Sequence, residues 1–229
     1  MRNRLNLSGR SGGFRPYILT ALAVVASYVL FTIILRVGEN TVRPLMMNGV
    51  FVCFMILFLI SIKNREIKTT HLIIAVIAAG IVMRVGYMLY TLFWARGHDI
   101  YGFDFSGHYG YMHHIFTTWT LPQSNDYLFY HPPFEHIVQA IVVKIFSLFQ
   151  PGAERDALFE ASKLVPCFAS CAMLFVSRSI CRELGLTNRA TAIAVAVIAF
   201  HPTFYILSAS VNNDTLMIFF FMIAVLYTI

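Results

Sequence analysis

Charge is what this 229-residue chain has least of. Lys, Arg, Asp and Glu together make up 12% of it, against about 25% in a soluble domain. So little charge excludes a water-soluble enzyme, and an apolar share of 58% excludes a solvated, disordered chain. Cysteine is scarce as well. Cys53, Cys167, Cys171 and Cys181 lie in or beside apolar runs, which excludes a disulfide framework. Cys167 and Cys171, one helical turn apart, read as small packing residues. There is no Gly-rich phosphate loop, no HExxH, no internal repeat and no low-complexity stretch, so neither nucleotide binding nor a tight zinc site is indicated. The net charge of +6 does not point to nucleic acid, because the basic residues sit between apolar runs rather than in one patch. What remains is a multi-pass membrane protein, in keeping with 21 Phe and 11 Tyr.

About 20 apolar residues cross a bilayer as a helix. Residues 17–35, 45–62, 71–93, 164–180, 190–208 and 216–229 qualify as spans, the fifth kinked by Pro202 and the sixth still apolar at Ile229. The last run has no flanking anchor, so the sequence reads as the N-terminal part of a longer protein. Residues 137–149 are too few: at 1.5 Å per residue they reach only ~20 Å, against a hydrocarbon core of ~30 Å. His136, Gln139, Ser147 and Gln150 fall near one face of this run, which suits a helix lying in the interface. The positive-inside rule agrees. Arg2, Arg4, Arg10 and Arg15, then the basic loops 63–70 and 178–190, all face the cytoplasm only if the short run does not span. The expected fold is therefore all-α: a polytopic transmembrane bundle with a long outer segment, from Trp94 to about Lys163, that contains interfacial helices. Residues 1–70 form a two-span N-terminal region with a cytoplasmic basic end, and residues 71–229 the core.

The outer segment holds the scarce acids. Asp99, Asp104, Asp126, Glu135, Glu154, Asp156 and Glu160 are seven of the eleven, and His98, His108, His113, His114, His131 and His136 are six of the eight histidines. Interleaved aromatics such as Tyr101, Tyr109, Tyr111, Trp119 and Tyr130 argue for a folded cap over the membrane rather than a solvated linker. Asp99 and Asp104 follow the outer end of a span, where a half-shielded carboxylate can act as a general base, bind a divalent cation or, for Asp104, cap a helix through His108. His131-Pro132-Pro133 is either punctuation before a helix or a rigidly held imidazole facing an anionic group. Asn213 or Asp214 either caps the last span or adds a polar group to the same cavity. Arg84, inside the third span, is a functional candidate by default or else pairs with a neighbouring helix or snorkels to the headgroups.

These elements in this order resemble a known superfamily. An Asp-bearing outer loop leads to Gly107-His108-Tyr109-Gly110-Tyr111, Leu121-Pro122, Tyr130-His131-Pro132-Pro133-Phe134 and a short helix, then to His201-Pro202 and Asn213-Asp214. From about Ile81 onward the chain resembles the membrane glycosyltransferases of the GT-C fold. It most resembles glycosyltransferase family 39, the protein O-mannosyltransferase and aminoarabinose-transferase relatives. Two departures are plain: Phe105 stands where relatives carry Glu, and Phe134 where they more often carry Leu.

The resemblance implies transfer of a sugar from a polyprenyl-phosphate donor to a hydroxyl of a protein or lipid acceptor, on the outer face and with inversion. It implies an outer-loop Asp as base, here Asp104 ahead of Asp99. His108, Tyr111, His131, Asn213, Asp214 and Arg84 are the candidate substrate-binding residues. The departing lipid phosphate calls for a cation, either Arg84, Lys163 or His131 or a bound magnesium or manganese ion. No organic cofactor is needed. The other readings of the composition are a transporter or channel subunit, which would show broken helices repeated in two halves, and a non-catalytic membrane scaffold.

Overall fold

A computed structural model of the chain describes residues 48–49, 69–91, 107–123, 130–153 and 158–229. The expected spans at 17–35 and 45–62 and the loop bearing Asp99 and Asp104 lie outside the described residues, apart from Asn48 and Gly49. Among the described residues every element is a helix and no strand occurs. We number them α1 (Thr69–Tyr90), α2 (Gly107–Thr118), α3 (Phe134–Phe149), α4 (Leu164–Glu183), α5 (Asn188–Phe200), α6 (Pro202–Leu207) and α7 (Asp214–Thr228), with a 3-10 turn at Glu160–Lys163 leading into α4.

Two of these are long and apolar enough to cross a membrane: α1, and the continuous Glu160–Glu183 segment. They correspond to the expected runs 71–93 and 164–180. α5 and α7 are apolar but shorter. The expected run 190–208 is not one kinked helix. Pro202 has no amide hydrogen and restricts the residue before it to extended backbone. His201 accordingly adopts φ −66° and ψ 124°, so α5 stops and α6 starts afresh with Pro202 in its first turn.

Such a break frees carbonyls that membrane or protein interior cannot hydrate. Arg84 answers them. Its Nη2 donates to the Ile198 carbonyl at 2.9 Å and its Nη1 to the Ala199 carbonyl at 2.8 Å. Nη1 also reaches the Gly80 carbonyl one turn back on α1. Nε donates to Ser170 Oγ on α4 at 2.8 Å, and that hydroxyl donates onward to the Phe204 carbonyl at 2.9 Å. Arg84 is wholly buried, and its partners tie α1, α4, α5 and α6 together.

The backbones come close enough for this because position 80 has no side chain. A Cβ there would sit 2.9 Å from Leu174 Cδ1 and 3.0 Å from Ala199 Cβ, inside van der Waals contact. Around the same crossing Ile73, Val76, Ile77, Leu174, Val195 and Ala199 form a buried core. On the other side of α4, Ala169, Met173 and Val176 pack on Leu216 and Phe219 of α7. The α4–α5 turn is set by Gly185 at φ +68°, a left-handed conformation that Gly adopts without strain, and by Thr187, whose side chain accepts from Ala190 N to cap α5.

Lys163, the second cation expected to meet phosphate, is also committed to the scaffold. Its Nζ donates to the carbonyls of Met88 (3.2 Å) and Thr91 at the end of α1 and pairs with Glu160. Carbonyls at a helix C-terminus favour a cation in this way.

Replacing Arg84 by Met keeps the stem but strands the carbonyls of Ile198 and Ala199. Arg84→Met is expected to cost about 3 kcal/mol, since hydrogen bonds from a charged group contribute roughly 1.5–3 kcal/mol each. Pro202→Ala restores an amide that can satisfy Ile198, so the penalty should be smaller by about 1 kcal/mol in that background. Thermal unfolding in detergent measures both, and equal penalties in the two backgrounds would contradict this account of the break.

Candidate functional site

Three stretches far apart in sequence converge at one end of the bundle. α2 supplies His108 and Tyr111. The turn before α3 supplies His131, and α3 itself supplies Glu135, His136 and Gln139. The start of α7 supplies Asn213 and Asp214. Of the expected substrate-binding residues, the structure therefore brings together His108, Tyr111, His131, Asn213 and Asp214. Arg84 does not join them: its partners are the helix-break carbonyls and Ser170. That corrects the phosphate-binding expectation in favour of pairing with neighbouring helices.

α3 presents its polar residues inward. Residues one turn apart share a helix face, and His136 and Gln139 are both fully buried while Glu135 is 2% exposed. The opposite face is apolar and open, with Ile145 47%, Leu148 71% and Phe149 78% exposed. The sequence put His136 and Gln139 on one face of an interfacial helix without fixing which way that face points. The structure turns it toward the site and leaves the apolar stripe outside, an orientation that fits a helix bedded in lipid at the interface. Of Ser147 and Gln150, assigned to the same face, the first is half-buried and the second exposed at its far end.

At the centre, His108 Nδ1 meets His136 Nε2 at 3.0 Å, the two rings lying edge to edge with their planes 10° from parallel. Tyr111 stacks on the other part of His136 at a centroid distance of 4.5 Å. The His131 ring lies 5.0 Å from that of His108, and its Nδ1 is 3.3 Å from Asn213 Nδ2. Glu135 joins α3 to α7: its Oε2 accepts from Leu216 N at 3.4 Å and its Oε1 from Gln139 Nε2 at 3.3 Å. Leu216 N belongs to the first turn of α7, where amides have no intrahelical partner, so Glu135 acts as a cap supplied by another helix.

The remaining first-turn amides of α7 are met by Asn212. Its Oδ1 accepts from Asp214 N at 3.0 Å and Thr215 N at 3.1 Å. The capping expected of Asn213 or Asp214 thus falls to Asn212; Asn213 holds the cap position with no side-chain cap bond. Both Asn213 and Asp214 are left with their side chains free of capping. Asp214 is exposed, and its charge acts on both His108 and Glu135.

Burial in this apolar setting disfavours charge. It lowers His108 from 6.5 to about 4, reinforced by neighbouring His131. It lowers His136 from 6.5 to about 3, reinforced by His108. It raises Glu135 from 4.5 to about 8, partly opposed by the Leu216 amide and helped by Asp214, and it raises the Tyr111 hydroxyl. At neutral pH the buried part of the cluster is therefore uncharged, with Glu135 protonated and both imidazoles neutral, next to the exposed carboxyl of Asp214. Carboxyls and imidazoles tuned apart by their surroundings are the usual equipment of acid–base sites.

For a divalent cation the described residues are a poor fit. No group of three or more His, Cys, Asp or Glu among them is arranged to hold a metal ion, and His108 and His136 spend ring nitrogens on each other. Beside Glu135 an apolar groove of about 500 Å³ runs between α3, α4 and α7, lined by Phe134, Val142, Phe146, Leu164, Phe168 and Phe219 among others. Glu135, His136 and Gln139 were not among the candidate site residues expected from sequence. The available signal was their i, i+4 and i, i+3 spacing after the Pro-Pro pair. No family model, curated protein or solved structure matches this chain.

These shifts make stability depend on pH in a signed way. Glu135, raised from 4.5 to about 8, gives the folded state the extra proton between those values, so its contribution falls as pH rises. His108 and His136, lowered to about 4 and about 3, give the unfolded chain extra protons below 6.5, so theirs rises with pH. Two imidazoles outweigh one carboxyl below pH 6.5, and only the carboxyl acts above it. The melting temperature should peak near pH 6.5 and decline toward pH 8, and Glu135→Gln should abolish the decline. A wild-type curve that stays flat from pH 6.5 to 8 would contradict the buried, protonated Glu135.

Proposed function

We propose that the protein is a polytopic membrane glycosyltransferase. It transfers a sugar from a polyprenyl-phosphate donor to a hydroxyl of a protein or lipid acceptor at the extracytoplasmic face. The observation that carries this reading is the convergence of Gly107-His108, His131-Pro132-Pro133 and Asn213-Asp214 into one polar cluster. These are the stretches on which the resemblance to GT-C enzymes rests, and they come from three separate parts of the chain.

Two further features support it. The groove between α3, α4 and α7 has only apolar walls and begins one residue from Glu135, at Phe134. That is a natural bed for an isoprenoid tail whose phosphate must reach polar groups. The outward apolar face of α3 holds the cluster at the membrane surface, where a lipid-linked donor presents its headgroup.

In this reading the N-terminus is cytoplasmic and the long 94–163 segment lies outside. Asp104 stands three residues before α2 and four before His108 in sequence, and the resemblance makes it the first candidate for the base. It takes the proton of the acceptor hydroxyl as the oxygen attacks the anomeric carbon; the bond from that carbon to the lipid phosphate breaks, and the configuration inverts. Asp99 is the second candidate for this role. With Arg84 and Lys163 bound to carbonyls, His131, braced by Asn213, is the side chain of the three best placed to meet the departing phosphate.

The test is transfer from a labelled polyprenyl-phosphate sugar by full-length protein in membranes. General-base catalysis contributes about 10²–10⁴-fold. Asp104→Asn, or failing that Asp99→Asn, should therefore lower turnover by at least about a hundredfold with folding intact. Full turnover in both variants would remove the base from this loop and with it the mechanism.

A further inference from the structure

The hydrogen bond between the two histidines decides more than their position. A single proton lies between His108 Nδ1 and His136 Nε2, and which nitrogen carries it is set from behind. His136 is fully buried. Its Nδ1 has no close hydrogen bond, but the Pro132 carbonyl lies near enough to the ring to favour a proton on it, and with Nε2 turned to His108 the nitrogen left for that carbonyl is Nδ1. A carbonyl can only accept, so the His136 proton belongs on Nδ1. A neutral imidazole has one proton, which leaves His136 Nε2 bare. His136 Nε2 is then the acceptor and His108 Nδ1 the donor. His108 has no second proton to place, so its Nε2 is a bare lone pair. That nitrogen has no hydrogen-bond partner among the described residues, on a half-buried ring.

We infer that His108 Nε2 is the atom that receives the hydroxyl of the acceptor substrate, and that His136 is a positioning residue which keeps His108 in the accepting tautomer. A bare imidazole nitrogen accepts from an O–H and has nothing to donate to a phosphate oxygen. The site thereby distinguishes its two substrates: the hydroxyl compound is held at His108, and the lipid phosphate is turned away from it.

The groups packed on His108 suit that task. His136 meets its Nδ1 edge, His131 lies beside the ring, and the Asp214 carboxyl is nearby on α7; Tyr111 stacks on His136 and braces it. With His108 lowered to about 4, the ring holds the hydroxyl without stripping its proton, which is left for the carboxylate base. The inference rests on the transferase reading for the identity of the hydroxyl compound, but not for the tautomer.

The experiment has two arms. In the first, the full chain labelled with ¹⁵N-histidine is studied by NMR in micelles at pH 7, with His108→Gln and His136→Phe to assign signals. The expected spectrum shows His108 protonated at Nδ1 and bare at Nε2, neutral down to about pH 5. In His136→Phe the proton should move toward Nε2, the form favoured by free imidazole. His108 carrying its proton on Nε2 in the wild type, or as imidazolium at pH 7, would overturn the inference.

In the second arm, transfer from polyprenyl-phosphate sugar is measured against a hydroxyl acceptor. His108→Phe should raise the acceptor KM about tenfold and leave the donor KM unchanged, while His108→Gln, which keeps an accepting oxygen, should stay within about threefold of wild type. A rise in the donor KM instead would overturn the assignment. A wild-type protein that transfers no sugar defeats the transferase reading, and the tautomer measurement then decides the hydroxyl-accepting role of His108 by itself.

Discussion

The arrangement depends on a guanidinium that replaces a missing amide. Proline at 202 cuts the run 190–208 into two helices, and the cut exposes carbonyls in a place where water cannot reach them. Arg84 donates to two of them and, through Ser170, reaches the Phe204 carbonyl on the far side of the break. A buried charge is costly unless its hydrogen bonds are met, and here each side needs the other: the break needs donors and the cation needs acceptors. Because the four helices meet at Arg84, the direction of α6 and the connection 208–213 that follows it are fixed. That connection delivers Asn212, Asn213 and Asp214 to the site.

The site is assembled by a second cross-helix device of the same kind. Glu135 of α3 caps an orphan amide of α7, and Asn212 caps the other two described here. Asn213 is thereby free to reach His131, and Asp214 to stand exposed beside His108. Caps are ordinarily local, supplied by the residue before the helix. Supplying one from α3 couples the Pro-Pro turn and its histidine to the Asn-Asp turn. It also places an acid where burial keeps it protonated.

Parts of this were legible in the sequence. The helical class followed from the length and polarity of the runs, and the two long described helices lie where the apolar counts put them. Pro202 was visible as an interruption and Arg84 as an intramembrane charge. That one answers the other was not, because the pairing arises where helices distant in sequence cross, and periodicity says nothing about crossings. The polar stripe of α3 was legible as a stripe. Its direction was not: amphipathicity gives a polar face and an apolar face, and which one meets protein depends on the solvent. Asn212 lost out to Asn213 and Asp214 because neighbouring cap residues have equal propensity, and backbone geometry alone chooses between them. Asp99 and Asp104, central to the proposed chemistry, are known only as sequence and lie outside the described residues.

The account stands or falls on whether the Pro-Pro turn and the Asn-Asp turn meet. With His131→Cys and Asn213→Cys introduced together in a background whose native cysteines are replaced, a short thiol-to-thiol cross-linker should join the two positions within one chain. The side chains now at these positions approach to 3.3 Å, and mass spectrometry of the digested protein reads the link. The account predicts an efficient intramolecular cross-link in membranes. Both cysteines reacting singly with a thiol reagent, yet failing to link, would contradict it.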